Sequence, residues 1–69
     1  MYGEQEYHRA RAYAAKISAD TLQQGIQPDI STEGMLDALS TCVRPARREE
    51  ISYIRSIFLT EFANPILNR

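Results

Sequence analysis

One cysteine and one histidine are the residues of this chain best suited to covalent or metal chemistry. Cys42 and His8 could pair as nucleophile and base, but such a pair needs a third group to orient the base, and nothing in the sequence places the two together. One Cys and one His are too few for a four-ligand zinc site. A chain of 69 residues also leaves little room for a pocket of about 300–1,000 Å³. We therefore expect no enzyme, no metal or other cofactor, and no small-molecule substrate.

Three arginines cluster between the second and third apolar segments of the chain, at Arg44, Arg47 and Arg48. Arg47 and Arg48 fall in the first turn of a predicted helix, where positive charge opposes the helix dipole. The neighbouring Glu49 and Glu50 offset part of that conflict. Two interpretations remain open. The cluster fills a solvated surface, or it docks a carboxylate-rich or phosphate-bearing partner.

Tyrosine and arginine are the residue types enriched at interface hot spots, and both recur in this chain. Arg55, Glu50 and Glu61 interrupt the apolar arc of the third predicted helix. Their long stems lie along the core edge with their heads in water, or they pair with charges on a partner. As partner-binding residues we predict Arg44, Arg47, Arg48, Arg55, Tyr7 and Tyr13.

Three predicted helices position these side chains. The first covers residues 4–24. Glu4 and Glu6 at its start suit the positive end of the helix dipole, and Gly25 suits the left-handed conformation that ends a helix. Its core-facing stripe is Tyr7, Ala10, Tyr13, Ala14 and Ile17.

Small residues form a second stripe on the opposite face of this helix. Small side chains let another helix approach closely, but alanine is also the strongest helix former, so two interpretations stay open. If the stripe is an oligomer interface, its residues are Ala12, Ala15, Ala19 and Leu22.

The second predicted helix covers residues 32–43, with Ser31 as its N-cap. The third covers residues 45–64 and follows after a very short link near Arg44. We predict it to be a long central C-terminal helix. A surface helix that packs on one side has an apolar arc of about 100°, and the arc of this helix is nearly twice as wide. The helix must therefore be covered on two sides, by its own chain or by another molecule.

Length and charge narrow the function classes. Residues 1–69 form one helical domain, which at this size buries only about 60% of its unfolded surface. With one cysteine no internal disulfide can form, so association is the remaining route to stability.

A net charge of −1 argues against a dedicated nucleic-acid or membrane binder. The lack of an apolar run near 18 residues or a leader-like segment favours the cytosol.

These features favour a small non-enzymatic interaction module that binds a protein partner, itself or both, as a homodimer or hetero-complex. Its size is typical of a bacterial or phage regulator, such as an inhibitor, adaptor or antirepressor. A purely structural self-assembling subunit shares the same features. The alternative is a helix-turn-helix DNA-binding regulator built from the second and third helices, although its recognition helix would be largely apolar.

Overall fold

A computed structural model describes residues 3–63 of the chain. None of these residues forms a β-strand, so the predicted all-α, three-helix class is confirmed. A 3₁₀ turn leads into the third α-helix, which continues into a π turn, and we call these three together the third helical segment, residues 48–62. The elements in chain order are α1 (Glu4–Gln24), α2 (Thr32–Leu39), the 3₁₀ turn (Arg48–Glu50), α3 (Ile51–Ile57) and the π turn (Phe58–Phe62).

Both predicted ends of α1 are confirmed. At the start, the backbone N–H of Gly3 donates to Oε1 of Glu6 at 2.8 Å. At the end, Gly25 has a left-handed backbone with φ of 70°, and its N–H donates to the carbonyl of Thr21 at 2.9 Å. These bonds satisfy backbone groups that a helix end would otherwise leave unpaired.

The start of α2 is confirmed, but its predicted end is wrong. The Ser31 hydroxyl accepts from the Gly34 N–H at 3.0 Å, as expected of an N-cap. The helix ends at Leu39, four residues earlier than predicted. Both the N–H and the hydroxyl of Ser40 bond the Asp37 carbonyl, at 3.2 and 2.6 Å. A Ser side chain that bonds the backbone in this way competes with the helical ladder.

The predicted long helix over residues 45–64 is also wrong, because α1 is the longest helix. Arg47 is extended, with φ of −90° and ψ of 154°, and the helical segment begins only after it. The Arg47 N–H donates to Oε2 of Glu50 at 2.8 Å, so a glutamate three positions later caps this start. The predicted short link is therefore a loop, residues 40–47. The predicted end at Asn64 lies outside the described residues.

The apolar arc of the third helical segment is covered on two sides by its own chain, because α3 packs against both α1 and α2. None of the helices within residues 3–63 combines the length and apolar character needed to cross a bilayer. The largest fully buried side chains come from α2 and from the third helical segment. They are Phe58, Met35, Leu39, Ile51 and Ile54.

Candidate interaction surface

Residues 40–47 form a loop that we call the arginine loop. It is held against the helices at several points. The hydroxyl of Tyr13 on α1 donates to the carbonyl of Arg44 at 2.6 Å, and Cys42 and Ala46 pack partly buried against the core. Between these points Val43 is fully exposed, with a relative accessibility of 106%. The anchored positions therefore present the intervening side chains to solvent.

Within residues 3–63, the three arginines of the predicted cluster differ in their partners. Among residues 3–63, the Arg44 guanidinium has no hydrogen bond or ion pair. Arg47 is exposed, and its Nη1 lies 4.0 Å from Oε1 of Glu49, the outer limit of an ion pair. Arg48 instead donates to Oε2 of Glu33 on α2 at 2.6 Å. That contact offsets part of the dipole conflict at the start of the third helical segment.

Arg55 and Tyr13 act inside the fold. Arg55 is half-buried, and its Nε donates to the carbonyl of Ile30 at 2.8 Å while its Nη2 donates to Oγ1 of Thr32, also at 2.8 Å. It therefore holds α3 to the start of α2. Tyr13 is buried, and its hydroxyl holds the arginine loop. Neither side chain adds much to the exposed surface.

Tyr7 lies where α1 meets the π turn and is half-buried. Its hydroxyl donates to Oε2 of Glu61, and Arg11 Nε donates to the other carboxylate oxygen at 2.8 Å. The Arg11 guanidinium also lies 5.1 Å from the ring centre of Phe62, a cation–π distance. These contacts give Glu61 two internal partners on α1.

The same contacts change the acidity of all three groups. The hydrogen bond from Tyr7, followed by that from Arg11, holds the pKa of Glu61 below its ordinary value. The carboxylate in turn raises the pKa of Tyr7 and the pKa of Arg11, in each case mainly through its hydrogen bond. Donors that bond a carboxylate favour its charged form. Together, Tyr7, Arg11 and Glu61 therefore form a structural contact that contains an ion pair at neutral pH.

Glu50 also has its partner on α1. Its Oε1 lies 3.2 Å from Nε of Arg9, whose guanidinium lies 5.8 Å from the ring centre of Tyr13. The charges that interrupt the apolar arc thus pair within the chain. Sequence reasoning placed them in water or against a partner molecule. The signal that could have identified these pairs is the basic flank of α1, because Arg9 and Arg11 stand close along the chain.

A groove of about 380 Å³ lies between the C-terminal half of α1, the α1–α2 connection and α2. The expectation that the chain leaves little room for such a volume is wrong, because the α1–α2 connection folds beside α2 and forms part of the wall. Its polar lining includes Asp20, which bonds Lys16 at 2.8 Å, and Asp29, which accepts from the Ser31 hydroxyl at 2.7 Å. The other residues that line the groove, polar and apolar, are Ile17, Thr21, Gln24, Ile26, Gln27, Pro28, Gly34, Asp37, Ala38 and Thr41.

Gly34 has a role in this groove that the sequence did not reveal. A Cβ atom at this position would lie 2.2 Å from Cγ of Asp29, so the glycine leaves room for the carboxylate. Asp29 also accepts from the Ser31 N–H at 3.1 Å. The hydrogen bonds from the side chain and then the backbone of Ser31 lower the pKa of Asp29. The glycine near the start of α2 therefore supports an ordered acidic side chain.

The remaining predicted residues lie apart from one another. His8 faces Glu4 on the exposed side of α1, with Nε2 3.6 Å from Oε1, whereas Cys42 is partly buried against the core. Among residues 3–63, no three His, Cys, Asp or Glu side chains lie close enough together to hold a metal ion. The predicted oligomer face remains a prediction. Ala12, Ala19 and Leu22 are exposed on it, and Ala15 is half-buried.

Comparison with known proteins adds no assignment. No family model, no curated protein and no solved structure matches the chain. Any proposal about function therefore depends on the structure and charges of this chain alone.

Proposed function

We propose that this protein is a non-enzymatic interaction module whose arginine loop binds a carboxylate-rich surface of a partner protein. The observation that carries the proposal is the outward presentation of Val43, Arg44 and Arg47 from a loop that Tyr13 holds in place. Arg9, Arg11 and Arg48 lie against carboxylates within the chain, whereas Arg44 does not among residues 3–63.

An exposed apolar side chain next to an exposed arginine in the chain, as Val43 is to Arg44, suits protein recognition. Arginine presents a planar set of donors that matches a carboxylate, and it is enriched at interface hot spots. Val43 would add apolar contact area beside the charged contacts. The module would act as a regulator, as an inhibitor, adaptor or antirepressor does, by occupying the surface it binds. We place it in the cytosol, where a lone thiol such as Cys42 stays reduced.

The DNA-binding alternative has weaker support. A helix-turn-helix joins its helices with a turn of about three or four residues, whereas residues 40–47 separate α2 from the third helical segment. Arg55 on α3 is used in hydrogen bonds within the chain. The exposed α3 residues Ser52 and Ser56 carry no charge, and the net charge of the chain is −1. Phosphate binding would rest mainly on the arginine loop, because Arg9, Arg11 and Arg48 lie against carboxylates of the chain.

The test compares two double variants with the same charge change. R44Q/R47Q removes two positive charges from the loop, and Q5E/Q23E adds two negative charges at exposed positions of α1. The tagged full chain and both variants are used to capture proteins from nuclease-treated extract of the source cells, and the eluates are analysed by native mass spectrometry. We expect a stoichiometric partner with the wild type and with Q5E/Q23E, and at least about a tenfold weaker recovery with R44Q/R47Q.

Equal recovery of that partner with R44Q/R47Q would show that the arginine loop is not the binding surface. A parallel capture from untreated extract tests the DNA-binding alternative. Recovery from untreated extract that is lost after nuclease treatment would support that alternative, and binding to DNA should then weaken steeply with salt. Far-UV circular dichroism of both variants checks that the helices are retained.

A further inference from the structure

We infer that the arginine loop of one molecule binds the acidic groove of a second copy of this chain, in a reciprocal two-fold contact. The inference rests on the proposed function, because it assigns a partner to the same loop. It places Val43 and Arg44 of each copy against the groove between α1 and α2 of the other.

Charge complementarity is the first support. The groove is lined by three carboxylates, Asp20, Asp29 and Asp37, and by one ammonium group, Lys16, so its side chains sum to a charge of −2. Among residues 3–63, the Asp37 side chain has no hydrogen bond or ion pair, and neither does that of Arg44. Within the described part of the chain, the groove thus offers a carboxylate and the loop a guanidinium that have no internal partner.

Shape and apolar character agree with this pairing. Ile26, 57% exposed, and Ala38, half-buried, give the groove an apolar portion, and Val43 on the loop is fully exposed. The groove volume of about 380 Å³ falls in the range of sites that enclose small ligands, so it can take a few side chains. A contact of the loop with the groove would cover two of the exposed large hydrophobic residues.

The positions of loop and groove satisfy the requirement of a two-fold contact, in which the same patch of both subunits meets itself. Thr41 of the arginine loop lines the groove, and Val43 follows two residues later. The Arg44 carbonyl is held by Tyr13, one turn of α1 from the groove-lining Ile17. Loop and groove therefore lie side by side, and the bond to Tyr13 holds the backbone at Arg44 in place beside the groove.

A charge-swap experiment tests the contact. R44D places a carboxylate opposite the groove acids, and D37R places a guanidinium opposite the loop arginines. Each homodimer then contains two repulsive contacts, whereas a dimer of one R44D chain with one D37R chain contains one reversed pair and one native pair, both attractive. Sedimentation velocity and native mass spectrometry measure the oligomeric state of the wild type, of each variant and of their equimolar mixture.

We expect a wild-type dimer, at least about a tenfold higher dimer Kd for R44D and for D37R alone, and recovery of a mixed dimer in the mixture. Q5E/Q23E should dimerise like the wild type. A wild-type chain that stays monomeric up to about 1 mM would overturn the inference. A dimer that survives R44D and D37R but is lost in A12D would place the interface on the alanine face of α1. Species that grow beyond a dimer with concentration would overturn the two-fold geometry.

These outcomes separate the inference from the proposed function. If the wild type is monomeric but capture of another protein still depends on Arg44 and Arg47, the inference fails and the proposed function stands. If the wild type is monomeric and capture does not depend on Arg44 or Arg47, the inference and the proposed function both fail.

Discussion

Where α1 meets the third helical segment, Arg9 and Arg11 lie 3.2 and 2.8 Å from the carboxylates of Glu50 and Glu61, whereas Arg44 on the arginine loop lies against no carboxylate among residues 3–63. The residue type is the same in both regions. The difference is the backbone: two packed helices bring distant charges together, and a projecting loop does not. Arginine content alone therefore does not tell which arginines are used inside the fold, and the backbone that carries them decides it.

We expect the largest difference in stability between variants of Leu39 and of Val43, which are four positions apart and so share one face of the predicted second helix. Leu39 is fully buried and ends α2, and Val43 is fully exposed. We expect L39A to lower the free energy of unfolding by about 2–5 kcal/mol, because it leaves a cavity in the core. V43S should change it by less than about 0.5 kcal/mol. Urea titrations followed by circular dichroism measure both. A loss above about 1 kcal/mol in V43S would show that the loop is packed and remove the contrast.

We expect a smaller difference in the free energy of unfolding between variants of Arg55 and of Arg44. R55Q removes a guanidinium that bonds the Ile30 carbonyl and the Thr32 hydroxyl, so we expect a loss of about 1–3 kcal/mol in the free energy of unfolding. R44Q should cost less than about 0.5 kcal/mol, because Arg44 is exposed and no side-chain hydrogen bond or ion pair among residues 3–63 is lost. Thermal and urea unfolding of the two variants under the same conditions give the comparison. Equal losses would contradict the division into internal and free arginines.

At the groove, G34A should lower the melting temperature. A Gly to Ala change inside a helix normally stabilises by about 1 kcal/mol, but here the new Cβ displaces the Asp29 carboxylate from its bonds with Ser31. The pKa of Asp29 should rise toward its ordinary value, which an NMR titration of the carboxyl carbon measures.

A double-mutant cycle supplies the control for G34A. In a D29A background the conflict is absent, so the same G34A change should stabilise the protein. If G34A destabilises equally in both backgrounds, Asp29 is not the cause.

The smallest effect concerns acid stability. Because the pKa of Glu61 is lowered in the folded state, the unfolded chain binds more protons between that pKa and the ordinary value of 4.5. The contribution of Glu61 is therefore present above pH 4.5 and is lost as the pH falls through the folded pKa. Asp29 acts in the same direction. We expect E61Q to flatten the fall in melting temperature below this pH. An unchanged acid slope in E61Q would mean that the contact with Tyr7 and Arg11 adds no stability.

Local signals in the sequence were sufficient to predict α1 and the start of α2. Gly25 ends a helix through its own conformational freedom, and Ser31 caps one with its own hydroxyl. The buried stripe of α1 follows from helical periodicity alone: Ala10, Tyr13, Ala14 and Ile17 are all buried. These features depend on neighbours within a few residues, and the sequence displays those neighbours directly.

Features set by distant residues were not predictable in the same way. The apolar spacing of Leu39, Cys42 and Val43 continues the helical pattern past the end of α2, yet Ser40 bonds back to the Asp37 carbonyl and the chain leaves the helix. Among the candidate site residues, Tyr13 and Arg55 are used inside the fold. Arg55 bonds residues more than 20 positions away, a partnership that periodicity does not encode.

The hydrogen bond from the Tyr13 hydroxyl to the Arg44 carbonyl affects the entropy that the arginine loop would lose on binding. Ordering a free backbone costs about 1–2 kcal/mol per residue at 25 °C, and a loop that is already ordered avoids this cost when it binds. The arginine loop is thus preorganised, with its conformational entropy lost during folding rather than during association. A ligand of this loop would meet Val43 and Arg44 already in place, and its affinity would depend on a hydroxyl group that it never touches.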